Sequence, residues 1–433
     1  MPKPMQTVSI VAAVGLLATL GWLSSTASAP RAKETPAQTA PGAPAIPPAP
    51  KDTAPARPLR PIAGDLNADA QIRSVLEMAV RTSNLPAMSA AVVRDGRVVG
   101  SAAVGVRKMK DPTQVALQDP FHIGNCTKAL TGVLIGRMID AGQLRWDSTL
   151  AEVLGREIGG IHPDLAGVTV EQLLRHRSGL LARGPSEVWT AAQRAKGTPA
   201  EQRLAYAEAM LSKAPGKSPG QYQYSNAGYA VLGLIAETVA GKPYEELMQE
   251  QVLKPLGMTS AGFGQAGDPK GVTAPWPHLD GGPSFTDNPA CVAPGMTMHL
   301  SIGDWAKFAN FELGHQPDPP LLKPDTFARL QELTGQVKDD EMGYACGWFR
   351  PLRAWAGGRT LHHVGSNTVN FSEIWLAPAK DFGVLVCCNE GSPEAADACE
   401  AVCGALIERF LGVNPGPLDS ARDRRNPVTK PKG

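Results

Sequence analysis

The chain has 433 residues, a formal net charge of +1 at pH 7, and a hydrophobic fraction of 43%. This length and apolar content suffice for one large domain or two smaller ones. The nearly neutral charge, without a basic cluster in the body of the chain, gives no electrostatic footprint for nucleic acid. A small-molecule or peptide partner is therefore the better expectation.

The first 29 residues have the pattern of a secretory signal. Lys3 precedes an apolar run at 8–23, and residues 27–29 (ASA) supply the small side chains of a cleavage site. Pro30 directly after that site, together with the length of the apolar run, leaves an uncleaved N-terminal anchor as the alternative. The sequence thus predicts an extracytoplasmic protein, periplasmic or secreted, and the anchor alternative would tether it to a membrane.

Two further segments flank the predicted domain, which we place at residues 63–414. Residues 30–62 are rich in proline and alanine and have too little apolar bulk to pack, so they should form an extended spacer. Residues 415–433 carry five basic side chains and are most simply a solvated tail. The expected order is therefore signal or anchor, spacer, one domain and tail.

The domain is predicted to begin with a helix and a β-hairpin. Asn67 is expected to cap the helix, whose apolar face includes Ile72. Strand-like runs at 88–93 and 97–104 follow, joined by Asp95-Gly96, a dipeptide typical of two-residue hairpin turns. This hairpin is the first half of a predicted sheet.

A second group of strands is predicted near the C-terminus, at 344–349, 360–364, 369–376 and 382–388. A final helix is expected over 393–411, with Val402, Leu406 and Phe410 spaced for packing. Residues 121–330 show mostly helical patterns joined by Gly- and Pro-rich connections. Strands at both ends with helices between them predict an α+β fold: one antiparallel sheet built from both chain ends, flanked by terminal helices and carrying a helical insertion.

Three short segments are candidates for a shared cleft. Asn125-Cys126-Thr127-Lys128 opens a buried amphipathic helix, Tyr224-Ser225-Asn226 precedes a helix over 227–239, and His363-Val364-Gly365-Ser366 ends a strand. Lys128 lies in the first turn of its helix, where the helix dipole disfavours a cation. Such a position either lowers the pKa of the amine or needs a compensating role.

Together, these segments resemble the penicillin-recognising serine hydrolases, the group of class C β-lactamases, D,D-peptidases and related esterases. In that family the three elements read Ser-x-x-Lys, Tyr-x-Asn and Lys-Thr-Gly or, as here, His-x-Gly. The runs at 173–180 (LLRHRSGL) and 253–258 (LKPLGM) support the resemblance, which covers about residues 67–411. It implies a fold like that of β-lactamases and penicillin-binding proteins.

The resemblance also implies an acyl-transfer site. In the family, serine and lysine lie one helical turn apart, and the lysine, aided by the tyrosine, takes the hydroxyl proton as the serine attacks a carbonyl. Lys128 and Tyr224 correspond to these catalytic residues. The backbone N–H groups of Asn125 and Ser366 correspond to the oxyanion donors. The residues implied to contact substrate are Asn226, His363, Gly365 and Ser366.

Position 125 departs from the family, because asparagine stands where the resemblance places the nucleophilic serine. A carboxamide nitrogen is a very poor nucleophile, and loss of a catalytic serine costs on the order of 10⁶ in turnover. Cys126 is chemically a better nucleophile, but it and Thr127 lie one or two residues from Lys128 and so face another side of the helix.

Two interpretations follow. The first is a catalytically impaired protein of this fold that binds a cell-envelope peptide or acyl ligand, since the oxyanion donors survive the loss of a side chain. The alternative is an active acyl hydrolase of esterase, D,D-peptidase or β-lactamase type with a rearranged nucleophile. The expected ligands are thus peptidoglycan-like peptides, esters or β-lactams.

The candidate residues also have ordinary structural interpretations. Lys128 is as readily a structural cation bonded to Asn125 and Tyr224 as a catalytic group. His362 and His363 alternate across a strand, so one of them must face the core or the other sheet face. The remaining histidines show no close paired spacing, so neither a metal nor another cofactor is expected.

An odd number of cysteines, seven, leaves at least one unpaired in an exported chain. Cys387 and Cys388 point to opposite faces of a predicted strand, and Cys399 and Cys403 share one face of the final helix. One disulfide between these two pairs is feasible. Buried reduced thiols are the commoner state for cysteines among apolar neighbours.

Residues 262–297 are dense in glycine and proline and show no clear element. Loops of this length are commonly functional lids or mobile segments. Trp276 in this loop is a candidate ligand contact, and a solvent-exposed insertion is the equal alternative.

Overall fold

The computed structural model describes residues 57–58, 68–334 and 342–418. These residues lie in the unit Lys51–Gly433. The predicted signal or anchor, nearly all of the predicted spacer and the tail from residue 419 fall outside the described part of the chain. Within the described part, none of the helices combines the length and the apolar character needed to cross a membrane.

Helices fill the middle of the chain and both ends of the domain. The α-helices are α1 (Ala70–Thr82), α2 (Thr127–Asp140), α3 (Leu150–Leu154), α4 (Pro163–Ala166), α5 (Val170–Leu174), α6 (Ser186–Arg194), α7 (Pro199–Leu211), α8 (Asn226–Ala240), α9 (Tyr244–Met248), α10 (Ala293–Met296), α11 (Ile302–Glu312), α12 (Pro324–Gln331) and α13 (Pro393–Leu411). A 3₁₀ turn, Gly124–Cys126, precedes α2, another, Ala290–Val292, precedes α10, and a π-helical segment, Gln249–Leu253, follows α9.

The longer strands lie toward the two ends of the domain, and short strands lie between them. They are β1 (Arg57–Pro58), β2 (Ala87–Arg94), β3 (Arg97–Gly105), β4 (Pro120–His122), β5 (Gly262–Phe263), β6 (His278–Leu279), β7 (Gly282–Pro283), β8 (Met298–Ser301), β9 (His315–Gln316), β10 (Leu352–Arg353), β11 (Gly358–Arg359), β12 (Leu361–Ser366), β13 (Phe371–Ala377) and β14 (Phe382–Cys388). The strand β1, which lies in the predicted spacer, pairs in parallel with β9.

The central sheet has five strands in the order β12-β13-β14-β2-β3, and each neighbouring pair is antiparallel. Both chain ends therefore contribute to it, which confirms the predicted α+β architecture. Asp95 and Gly96 join β2 to β3 with φ of 51° and 72°, as a tight hairpin turn requires. β14, in the middle of the sheet, is buried over its whole length.

The sheet separates two apolar clusters. On one face α1 and α13 pack through Ile72 and Leu406 against Trp375. On the other face the helical region packs against Ile374. Neighbouring residues of β13 thus enter different clusters, as the alternation of side chains along a strand dictates. Burying each large apolar side chain in these layers contributes about 1.5–3 kcal/mol.

Two predicted elements differ from the observed ones. The helix cap is Asp69, whose Oδ1 accepts hydrogen bonds from the N–H groups of Gln71 and Ile72, whereas the predicted cap, Asn67, lies outside the described residues. The segment 344–349, predicted to be a strand, is a tight turn in which Ala345 N–H donates to Trp348 O at 2.8 Å. Gly347, at φ 94°, reverses the chain there, which a regular strand cannot do.

All seven cysteines are free and buried. Cys387 and Cys388 do point to opposite faces of β14, into the two apolar clusters. Cys399 and Cys403 pack in the same cluster as Cys388. The reduced alternative is therefore the observed one, and these thiols act as small apolar side chains.

Candidate active site

The 3₁₀ turn Gly124–Cys126 leads directly into α2 and places Asn125 at its surface. Asn125 is half-buried, whereas Cys126 and Lys128 are buried. Thr127 ties the turn to its neighbours, because its Oγ1 donates to Gly124 O at 2.6 Å and accepts from the N–H of Met298 at 3.3 Å. The backbone that presents Asn125 is thus fixed from both sides.

Lys128 is fully buried, and its Nζ is surrounded by three carbonyl oxygens. It donates to Asn226 Oδ1 at 2.8 Å, to Gly295 O at 2.9 Å and, more weakly, to Asn125 Oδ1 at 3.4 Å. An ammonium group has three donors and no acceptor, so this environment matches the charged form. Burial opposes that form and lowers the pKa of Lys128 well below its ordinary value, and the charge of Arg183 lowers this pKa further.

The start of α8 brings Tyr224 and Asn226 to this lysine. Ser225 caps the helix: its Oγ accepts the N–H of Gly228 at 3.0 Å and donates to Leu181 O at 2.9 Å. The residues on either side of Ser225 then face Lys128, with the Tyr224 ring centroid 5.0 Å from Nζ. The structure therefore assembles the first two sequence segments around one amine.

His176 is a site residue whose role the sequence analysis did not predict. Its Nδ1 accepts the N–H of Ser225 at 3.1 Å, and its ring centroid lies 4.2 Å from that of Tyr224. Burial lowers the pKa of His176 well below its ordinary value, so the ring stays neutral. The only signal was its place in the Leu-rich run 173–180, which does not reveal that it positions the loop before α8.

Aromatic side chains enclose the tyrosine and the strand histidine. Phe349 lies parallel to Tyr224, with ring centroids 6.3 Å apart, and 5.4 Å from His363. Tyr344 packs edge-on against Phe349 at 4.9 Å. His363 is 1% exposed, and burial followed by the charge of Lys128 lowers its pKa well below the ordinary value. His363 is therefore a neutral side chain in this site.

The edge strand β12 directs Ser366 N–H toward the turn. His362 exchanges backbone hydrogen bonds of 2.9 and 3.0 Å with Phe349 on the side facing away from β13. Because N–H groups of alternate residues point the same way along a strand, the Ser366 N–H also points away from β13. It faces the open edge of the sheet, where the 3₁₀ turn lies.

Two glycines allow the turn and the strand to touch. A Cβ at Gly365 would lie 1.9 Å from Ile123 O, and a Cβ at Gly124 would lie 2.4 Å from Ser366 N. The N–H of Asn125 lies in the first turn of its helix, where N–H groups have no intrahelical acceptor. The two backbone groups implied to be oxyanion donors are consequently neighbours in space.

Cys126 turns away from Asn125. Its Sγ lies 3.7 Å from His363 O and 3.6 Å from Ser372 Oγ, inside the contact between turn and sheet. The residue is 2% exposed, and burial raises the pKa of the thiol to about 12. A protonated thiol in this position cannot serve as a nucleophile.

The segment 262–297 brings Gly295, whose carbonyl oxygen accepts a hydrogen bond from Lys128, and Asp287 to the site. Asp287 Oδ2 lies 3.3 Å from His122 Nε2. The Trp276 ring lies under Lys108 Nζ, 3.4 Å from its centroid, and its Nε1 donates to Gly271 O. Among the residues that the structure describes, no group of His, Cys, Asp and Glu side chains is arranged to hold a metal ion.

Comparison with known families gives one match that spans most of the chain. A family model described as Beta-lactamase matches residues 69–402. Among curated proteins, the chain is 23% identical to Protein flp of Staphylococcus aureus over 330 residues, which cover 75% of this chain and 64% of that protein. It is 26% identical to Unguisins hydrolase ungD' of Aspergillus campestris over 366 residues, or 80% of this chain and 66% of that one. The chain thus spans about two thirds of the length of these relatives.

Solved structures show the same fold. A penicillin-binding protein homologue from Pyrococcus abyssi superposes with a TM-score of 0.67 and 24% identity, covering 82% of this chain and 80% of that chain. A class C beta lactamase from Rhodobacter sphaeroides superposes with a TM-score of 0.64 and 20% identity, covering 78% of this chain and 99% of that chain. At these identities the likeness concerns the fold.

Proposed function

Because this chain belongs to the beta-lactamase family, we propose that it binds a cell-envelope peptide or another acyl ligand in the family's site without turning it over. The observation that carries this proposal is the place of Asn125. It occupies the half-buried turn before Lys128, and its Oδ1 lies 3.4 Å from the Lys128 Nζ. The resemblance places the family's serine at this position, and the amide found there accepts a hydrogen bond instead of attacking a carbonyl.

The chemistry of the pair supports the loss of turnover. Acyl transfer needs a nucleophile and a base that removes its proton. The carboxamide nitrogen of Asn125 is conjugated with its carbonyl and offers no free lone pair. The Lys128 Nζ faces three carbonyl oxygens that only accept hydrogen bonds, so none of these partners offers it a proton to remove. Loss of the serine alone costs on the order of 10⁶ in turnover.

Binding requires less than turnover. The N–H groups of Asn125 and Ser366 do not depend on a serine side chain, and such donors polarise a carbonyl wherever they converge. Two of the solved structures with this fold are a penicillin-binding protein homologue and a class C beta lactamase. Their names support an acyl compound or a peptide as the class of ligand. The rival interpretation, an active hydrolase with Cys126 as nucleophile, is opposed by the burial and the raised thiol pKa of that residue.

The experiment compares the full chain with Asn125→Ser and Asn125→Ala. Each protein is assayed with a chromogenic β-lactam and a p-nitrophenyl ester, and covalent adducts are sought by intact mass. We expect no adduct with the unaltered protein or with Asn125→Ala, and an acyl adduct with Asn125→Ser. Binding of a peptidoglycan stem peptide to the unaltered protein is measured by calorimetry.

Two results contradict the proposal. Turnover by the unaltered protein would show that it is an enzyme and not only a binding protein. Failure of the unaltered protein to bind the stem peptide, the ester or the β-lactam would exclude the proposed class of ligand. The double variant Asn125→Ser with Lys128→Met is the matched control, because it has the nucleophile without the amine and should form the adduct far more slowly.

The ligand class depends on location outside the cytoplasm, which we infer from the signal or anchor pattern of residues 1–29. Fractionation of cells that express the full chain tests this location. Recovery in the cytoplasm would exclude a cell-envelope ligand and leave the acyl ligand.

A further inference from the structure

Asp287, a carboxylate outside the three sequence motifs, bridges the two segments that carry the backbone donors. Its side chain is 12% exposed. The Oδ1 atom accepts hydrogen bonds from Asn367 Nδ2 at 2.9 Å and from the N–H of Asn288 at 2.7 Å. The Oδ2 atom lies 3.3 Å from His122 Nε2. One oxygen therefore contacts the residue after Ser366, and the other contacts the strand that leads to the turn.

His122 carries the connection into the 3₁₀ turn. Its side chain is 1% exposed, and its Nδ1 accepts the N–H of Gly124 at 3.0 Å. A ring nitrogen that accepts a hydrogen bond carries no proton, so a ring proton of His122 is at Nε2. This atom lies 3.3 Å from Asp287 Oδ2, in an electrostatic contact without the alignment of a hydrogen bond. Gly124 O in turn accepts from Thr127 Oγ1. With both its N–H and its carbonyl bonded, Gly124 fixes the peptide plane that contains the Asn125 N–H.

Asn367 makes the matching connection on the strand side. It is 5% exposed and directly follows Ser366. Its Nδ2 donates to Asp287, and its Oδ1 accepts from Asn370 Nδ2 at 3.1 Å and from Val369 N–H at 3.3 Å. The end of β12 is thus closed into a turn whose orientation depends on the carboxylate.

We propose that Asp287 is a positioning residue that sets the separation of the two backbone donors, acting on Asn125 through His122 and Gly124 and on Ser366 through Asn367. The proposal rests on the proposed function only in assigning these N–H groups to ligand binding. The contacts explain why a segment distant in sequence from all three motifs reaches the site. The two oxygens of Asp287 contact both segments at once, Oδ1 by hydrogen bonds and Oδ2 by the 3.3 Å contact with His122.

Three variants of the full chain distinguish the contact of Asp287 with His122 from its contact with Asn367. Asp287→Ala removes both contacts. His122→Gln reaches toward Asp287 but leaves Gly124 N–H without its acceptor. His122→Asn keeps an acceptor near the Nδ1 position and loses only the contact with Asp287. The matched control is His315→Ala, which breaks a different buried His–Asp pair, His315 with Asp381, joined at 2.8 Å.

The measurement is amide hydrogen exchange of the unliganded proteins, resolved for peptides covering 121–126 and 364–370. For Asp287→Ala we expect about tenfold faster exchange in both peptides, because each segment loses its contact with the carboxylate. His122→Gln and His122→Asn should each accelerate exchange only in the first peptide, since one loses the acceptor for the Gly124 N–H and the other loses the contact with Asp287. His315→Ala should change neither. Unchanged exchange in Asp287→Ala, or a uniform increase across the protein, overturns the proposal.

A kinetic measurement in the Asn125→Ser background tests whether Asp287 positions the N–H groups of residues 125 and 366. Adding Asp287→Ala should lower the rate of acylation by a p-nitrophenyl ester by about 10²–10³, the cost of a misplaced oxyanion donor, with KM changed only a few-fold. An acylation rate equal to that of Asn125→Ser contradicts the role. If Asn125→Ser does not acylate at all, the proposed function is decided by the binding of the unaltered protein, and the exchange pattern decides the positioning role by itself.

Discussion

The Nζ of Lys128 and the Oδ1 of Asn226 lie 2.8 Å apart and are both buried, so this hydrogen bond joins the first turn of α2 to the first residue of α8. Asn226→Ala should leave the buried amine with one acceptor fewer. We expect the free energy of unfolding to fall by about 2 kcal/mol, the cost of an unsatisfied buried group, measured by urea denaturation at pH 7.

The matched variant at this position is Asn226→Asp, which keeps an acceptor and adds a charge opposite to that of the ammonium. It should retain most of the stability that Asn226→Ala loses. Equal losses in the two variants would show that Lys128 does not depend on this oxygen.

Gly365→Ala should separate the strand from the turn. The new methyl group would lie 1.9 Å from Ile123 O, and backbone atoms cannot yield as a flexible side chain does. We expect a loss of about 1–3 kcal/mol in thermal or urea unfolding, together with loss of ligand binding. Gly160→Ala is the control, because a Cβ there meets nothing within 4 Å. Equal stability of the two variants would contradict the close contact.

The cysteines should resist thiol reagents in the native protein. All seven are buried and free, and burial raises the thiol pKa of Cys126 to about 12 and that of Cys346 to about 11. Since the thiolate is the reactive form, a colorimetric thiol reagent at pH 8 should modify none of them within minutes and all seven after denaturation. Rapid modification of Cys126 would support the alternative interpretation in which this residue is the nucleophile.

Glu312 should make stability depend on pH. Burial raises its pKa from an ordinary 4.5 to about 8, and Gln331 Nε2 donates to its Oε2 at 2.8 Å. Between these two values the folded protein keeps a proton that the unfolded chain releases. The stabilising effect of this proton is therefore complete below pH 4.5 and is lost as the pH rises through 8, by on the order of a few kcal/mol.

The variant Glu312→Gln isolates this effect. It has the same shape without a titrating proton, so its stability should fall less than that of the unaltered protein between pH 5 and pH 9. Thermal unfolding of both proteins across this range gives the difference. Parallel pH profiles would mean that Glu312 is not protonated in the folded state.

Much of the fold follows from local patterns. The limits of β14 and α13 agree with the predicted 382–388 and 393–411, and Asp95-Gly96 forms the expected hairpin turn. Alternation in strands and the helical repeat are properties of consecutive residues, so they can be read from one chain. The exception, 344–349, has strand-like composition, but the positive φ of Gly347 makes it a turn.

The sequence by itself determined the architecture, the three segments of the site and the absence of serine at position 125. Only the tertiary structure decided the environment of those segments. Gly295 O and Asn226 Oδ1 reach Lys128 across 167 and 98 positions of sequence, and Asp287 reaches His122 from another segment. The physical reason is that periodicity and turn chemistry act between near neighbours, whereas the hydrogen-bond partners of a buried amine depend on how distant helices and strands pack.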